Sequence, residues 1–156
     1  TAYHANDAPL VPFPDAEPTL EVLQTAYDLA VVTGGTNGAA KLERLGVAHY
    51  FDTVVVAPAR GWTKREPEPF EAVLSALAAT PAETAVVGDR PAIDFVQPNR
   101  LGMRTVRVRR GRYASVAASA AAEPDHVVDS LGAVPEMFRR EQGTESATTG
   151  ADHWDR

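Results

Sequence analysis

Four short apolar, β-branched runs, each closed by glycine or another turn residue, constrain this chain most: Leu29–Thr33, Thr53–Val56, Thr84–Val87 and Thr105–Val108. Their apolar residues are continuous rather than alternating, the pattern of strands buried on both faces. Helix-like stretches lie between them at Gly38–Leu45, Pro67–Ala79 and Pro91–Leu101. Such alternation predicts an α/β fold, a three-layer Rossmann-like parallel sheet with helices on both faces. Pro18–Ala26 reads as a helix before the first run, and Pro98 should kink or shorten the third stretch. After Arg112 the pattern weakens. Tyr113–Ala122 is Ala/Ser-rich and reads as a loop or poor helix. His126–Val128 is a last short strand, and Ser130–Arg140 a closing helix capped by Ser130. Residues 142–156 are polar and without periodicity and read as a disordered tail.

Bulk properties exclude several classes. The 156 residues amount to one domain, and no apolar run approaches the roughly 18–20 residues that span a bilayer. A net charge of −6 argues against nucleic acid as the main partner. The absence of cysteine excludes a disulfide framework and fits a reducing compartment. Thr1–Pro14 shows no signal-peptide pattern, so a cytoplasmic location is expected. The first residue is Thr rather than Met, which suggests a sequence processed, cut or partly recovered. The basic residues are 13 Arg and only two Lys, Lys41 and Lys64. In a chain that avoids lysine, each invites the question of why arginine would not serve.

Three motifs carry chemistry. Thr33-Gly34-Gly35 sets a hydroxyl and two glycines at the carboxyl end of a buried run, where backbone N–H groups can meet an anion; a plain strand-to-helix turn has the same sequence. Lys64 precedes a helix and can deliver a point charge to a phosphate, or be a solvated surface lysine. Gly88-Asp89 and Asp94 follow directly from the third run. Two carboxylates at a strand end suit Mg²⁺, which takes one or two protein carboxylates plus waters and substrate oxygens; otherwise Asp89 caps the next helix and Asp94 is solvated. Arg104, Arg107, Arg109, Arg110 and Arg112 form a basic cluster that reads as a solvated strand end or a rim attracting anionic substrates. The four histidines are too scattered for a metal cage.

In order and spacing these motifs resemble the second, third and fourth motifs of the haloacid dehalogenase (HAD) superfamily, in its helical-cap phosphatase branch. The resemblance runs from about Pro12 to Met137. Thr33-Gly34-Gly35 is similar to that family's Thr-Asn-Gly, with Gly for Asn. Lys64, Pro67 and Phe70 keep the spacing of its Lys-Pro-Asp-Pro-x-x-Phe stretch, although Arg65 replaces the first Pro. Gly88-Asp89 with Asp94 matches its Gly-Asp-x-x-x-x-Asp form, and Leu101-Gly102-Met103-Arg104-Thr105 its continuation. Arg90 stands where Ser or Thr is usual, and Gln97-Pro98 where small residues commonly sit.

The resemblance implies roles. Thr33 with the N–H groups of Gly34 and Gly35 would hold a transferring phosphoryl group. Lys64 would be catalytic and phosphate-binding, neutralising charge between nucleophile and phosphate. Asp89 would ligate Mg²⁺ directly and Asp94 through water or from one layer out. The implied activity is Mg²⁺-dependent hydrolysis of small phosphorylated metabolites through an aspartyl-phosphate. That mechanism needs an Asp-x-Asp pair on the family's first strand, and no Asp-x-Asp occurs here. The expected organisation is therefore 1–14 as the end of the cap and its return linker, 15–141 as the core, and 142–156 as the tail, with the central first strand and most of the cap missing. The chain alone would be inactive, and the strands ending at Thr33 and Gly88 would either face a gap or close up and pair directly, leaving the chain marginally stable, aggregation-prone or dependent on a segment or partner that supplies a strand. The alternative is a truncated, non-catalytic module binding phosphate or a partner.

Overall fold

The computed structural model describes residues 16–144 and 153–155, with backbone only at Arg112, 142–144 and 153–155. The expected cap remnant at 1–14 lies outside the described residues. Among these, six strands form one sheet: β1 Leu29–Thr33, β2 Thr53–Val56, β3 Thr84–Gly88, β4 Arg104–Val108, β5 His126–Val128 and β6 His153–Asp155. The order is β2-β1-β6-β3-β4-β5, and every pairing is parallel.

Period-two alternation along the buried strands divides the core between the two faces of the sheet. Leu29 and Val31 of β1 and Ala85 and Val87 of β3 pack with Leu20 and Leu23 of α1 (Ala16–Gln24), Leu42 of α2 (Gly38–Arg44) and Phe138 of α6 (Val134–Thr144). Ala30, Val32 and Val86 face the other way, onto Phe70 and Val73 of α3 (Glu68–Leu77). The parallel three-layer α/β expectation is therefore met. No helix among the described residues is long and apolar enough to cross a membrane.

Several local expectations are refined. The 91–101 stretch divides into α4 (Pro91–Asp94) and α5 (Val96–Leu101). The break falls where Pro98, lacking an N–H, cannot bond to the Asp94 carbonyl four residues back. Ser130 makes no side-chain cap, because a 3₁₀ turn at Leu131–Ala133 intervenes and α6 begins only at Val134. Residues 113–122 are a loop carrying short 3₁₀ turns.

The largest departure concerns the centre of the sheet. Neither a gap between β1 and β3 nor their direct pairing is found, because β6 lies between them. Trp154 is in register with Leu29 and Ala85, and Asp155 with Ala30 and Val86. Within the stretch expected as a tail, 142–144 are helical and 153–155 form this strand, while 145–152 and 156 lie outside the described residues. The polar sequence of 142–156 has no strand signature of its own. Two flanking rows of unpaired N–H and C=O groups can nonetheless recruit an extended segment that intrinsic propensity would leave irregular.

Candidate active site

Connections leave the sheet in opposite directions at its centre: β1 leads by α2 to β2, whereas β3 leads by α4 and α5 to β4. Such a switch point opens a crevice at the carboxyl ends of the flanking strands. Thr33 ends β1, and Gly88 ends β3 just before Asp89.

Lys64 and Asp94 form the centre. Lys64 Nζ lies 2.5 Å from Asp94 Oδ1, and both side chains are buried. Asp94 Oδ2 accepts the backbone N–H of Asp89 at 3.2 Å and of Arg90 at 3.0 Å. One carboxylate therefore fixes both the lysine and the turn carrying Asp89. A Cβ on Gly88 would come 2.5 Å from Asp94 Oδ2, so glycine is needed there for close packing. The stem of Lys64 passes over the first motif, its Cδ 3.4 Å from where a Cβ of Gly34 would stand. Its loop is held by Glu66 Oε1, which accepts the Thr63 N–H at 2.8 Å, and by Gln97 Nε2, which donates to the Arg65 carbonyl at 2.8 Å.

Asp89 is half-buried. Burial, and next the charge of Asp94, push its carboxyl above the usual carboxylate range, while Lys64 opposes. A carboxylate with too little countercharge is a fitting donor for a divalent cation, which would reverse that shift. Asp94 differs, since both its oxygens are engaged by Lys64 and two amides, so it is better disposed to hold the site together than to bind metal directly. Among the described residues no group of three or more His, Asp or Glu side chains could hold a metal. A cation held at Asp89 would therefore need water and substrate oxygens for its remaining ligands.

Thr33 is at the expected place, but its hydroxyl is engaged within its own turn. It donates to the Gly35 carbonyl at 3.0 Å and accepts the Gly35 N–H at 3.3 Å. To meet an anion it must rotate out of this loop. Gly38 was not singled out in the sequence, yet a Cβ there would meet Thr33 Oγ1 at 2.1 Å. Its signal was a glycine opening the stretch after the motif.

The basic cluster does not act as a unit. Arg104 pairs with Glu141. Arg107 is buried, and its Nη2 donates to the carbonyls of Tyr113 at 2.9 Å and Val116 at 2.5 Å, holding the loop after β4. Burial, then Arg109, lower its pKa, and Asp89 opposes them. Tyr113 in turn lies under the Arg90 guanidinium, 4.7 Å from the ring centroid.

A site of this form has counterparts. The glyceraldehyde 3-phosphate phosphatase of Methanopyrus kandleri is 40% identical over 116 residues, covering 72% of this chain and 50% of that protein. The ribulose-1,5-bisphosphate 5-phosphatase of Halopiger xanaduensis is 33% identical over 132 residues, covering 80% and 55%. The crystal structure of a 2-haloacid dehalogenase from Pseudomonas syringae superposes with a TM-score of 0.74 at 32% identity, covering 83% of this chain and 54% of that one. The chain spans about half the length of these relatives. A haloacid dehalogenase-like hydrolase model matches residues 2–95, and a HAD-hydrolase-like model residues 61–134. With the family pattern running through Thr33, Lys64, Asp89 and Asp94, the chain belongs to the haloacid dehalogenase-like hydrolases.

Proposed function

We propose that this chain provides the phosphate-gripping and cation-binding half of a Mg²⁺-dependent phosphoric monoester hydrolase acting on small phosphorylated metabolites. The observation that carries this reading is the buried Lys64–Asp94 pair set against Gly34, with the under-compensated Asp89 carboxylate on the same turn. Lys64 would steady the phosphoryl oxygens, and Thr33 with the N–H groups of Gly34 and Gly35 would bind them from the β1 side. Asp89 would hold Mg²⁺, with Asp94 keeping Lys64 and Asp89 in place. The cation would neutralise phosphate charge as it develops. The phosphatases among the relatives, acting on sugar phosphates, support this substrate class.

The reaction also needs a nucleophile beside Thr33. The register of β6 sets the Asp155 backbone beside Ala30, three residues, about 10 Å at the usual strand rise, before Thr33. This favours a second reading, that the chain alone binds phosphate without turning it over. The experiment is steady-state hydrolysis of a generic aryl phosphate by the pure chain with Mg²⁺, beside phosphate binding followed by ³¹P NMR. Binding without turnover is expected. Hydrolysis abolished by Asp89→Ala would establish a nucleophile within these residues, and absence of phosphate binding would overturn the reading of the site.

A further inference from the structure

The two lysines of this arginine-rich chain converge on one dipeptide. Lys64 runs past Gly34, and Lys41 Nζ lies 3.9 Å from where a Cβ of Gly35 would stand. Lys41 is the fourth residue of α2, one turn after Gly38, the residue packed against Thr33. Helical side chains lean back toward the amino end, which brings a half-buried Lys41 over the Gly34–Gly35 turn. We infer that Lys41 is a second phosphate-binding lysine, contacting the phosphoryl group from the side of the turn opposite Lys64. The inference rests on the phosphate-binding reading above and extends it to a residue outside the three motifs.

Charge supports the assignment. Asp89, Asp94 and Lys64 together carry one net negative charge, and Lys64 is already committed to Asp94 at 2.5 Å. A bound Mg²⁺ would bring this group to one positive charge, whereas a phosphate monoester carries about two negative charges at neutral pH. One further cation matches the dianion, and the fold brings Lys41 to the turn. A compact ammonium suits the space beside Gly35 better than a forked guanidinium.

The test is binding of inorganic phosphate to the full chain by ³¹P NMR line broadening, with and without Mg²⁺, in the wild type, Lys41→Gln and Lys41→Arg. Circular dichroism would confirm that each variant is folded. Lys41→Gln is expected to weaken phosphate roughly tenfold, the size of one charge-assisted hydrogen bond, and to reduce the salt dependence of binding. Lys41→Arg should recover about half of the loss on a logarithmic scale, since it restores charge without the fit. Wild-type affinity in Lys41→Gln would overturn this inference and leave the phosphate site standing. Equal losses in both variants would also overturn it, by assigning Lys41 a packing role. Absence of binding by the wild type would remove the site itself.

Discussion

Lys64 and Asp94 meet 2.5 Å apart with only 3% and 0% of their side chains exposed, so each is the other's substitute for water. Burying two charges is costly, and removing one partner leaves the other uncompensated, at about 3–5 kcal/mol. Lys64→Met should therefore lower the urea unfolding free energy by about that amount. The double variant Lys64→Met/Asp94→Leu should recover only part of it, because the Asp89 and Arg90 N–H groups lose their acceptor, and should lose phosphate binding. A single variant as stable as wild type would mean that solvent reaches the pair.

Asp89 predicts a pH dependence. Its folded pKa is raised by burial and by Asp94, so the metal-free folded state binds this proton more tightly than the unfolded chain. The contribution to stability is present below the ordinary carboxylate pKa and is lost as pH rises through the raised value. Mg²⁺ competes with the same proton, so its affinity should climb over that window. Thermal unfolding with Mg²⁺ should show a larger metal-induced rise in Tm at about pH 8 than at about pH 5. Asp89→Asn should abolish the metal effect and raise the metal-free Tm by a few degrees at most. A metal-induced shift that persists in Asp89→Asn would place the cation elsewhere.

How much of this was legible in the sequence depends on whether a requirement is local. Lys64, Asp89 and Asp94 could be singled out because they keep the order and spacing of the family they resemble, and the structure brings Lys64 and Asp94 together on the turn that carries Asp89. Gly38 and the contact made by Gln97 could not, because what demands them lies across a turn or loop: the Thr33 side chain for one, the Arg65 carbonyl for the other. The same holds for β6, whose three residues carry no strand signal and pair because β1 and β3 offer open edges. Ser130 failed in the opposite sense, with a good local cap signal defeated by a 3₁₀ turn before α6.

Gly38→Ala tests the contact beneath Thr33. A Cβ 2.1 Å from Thr33 Oγ1 must push that side chain or the start of α2 aside. Overpacking of this kind costs about 1–3 kcal/mol, and Thr33 should lose its position for phosphate. Urea unfolding together with ³¹P titration would show both losses. A stable variant that binds phosphate normally would mean that the turn yields without cost.

Arg107 should matter for stability through hydrogen bonds rather than charge. Its Nη2 serves the Tyr113 and Val116 carbonyls from a buried position on β4. Arg107→Met would fill the space and leave both acceptors unserved, at about 1–3 kcal/mol each where water cannot replace the donor. The loop at 113–116 should then show faster amide exchange while the sheet stays protected. Unchanged exchange in that loop would show that its carbonyls hydrate freely.

The last prediction concerns the middle of the sheet. Without β6, β1 and β3 would each face an open row of backbone groups in the most buried part of the domain. The five register pairs that β6 makes, two with β1 and three with β3, satisfy part of those rows. Their loss, at roughly 1 kcal/mol for each hydrogen bond forgone, is large against the roughly 5–15 kcal/mol that holds a typical domain folded. Exposed neighbouring edges are also a template for pairing between chains. A chain ending at residue 152 should therefore unfold at lower urea than the full chain, by about 2–4 kcal/mol, and should self-associate as concentration rises. Hydrogen exchange should locate the change at the Leu29–Val31 and Thr84–Val86 amides, the rows that β6 covers, with β4 and β5 less affected. A synthetic peptide of residues 150–156 added in trans should restore part of that protection. If the shortened chain matches the full one in urea midpoint, exchange pattern and oligomeric state, β6 contributes nothing to holding the sheet closed.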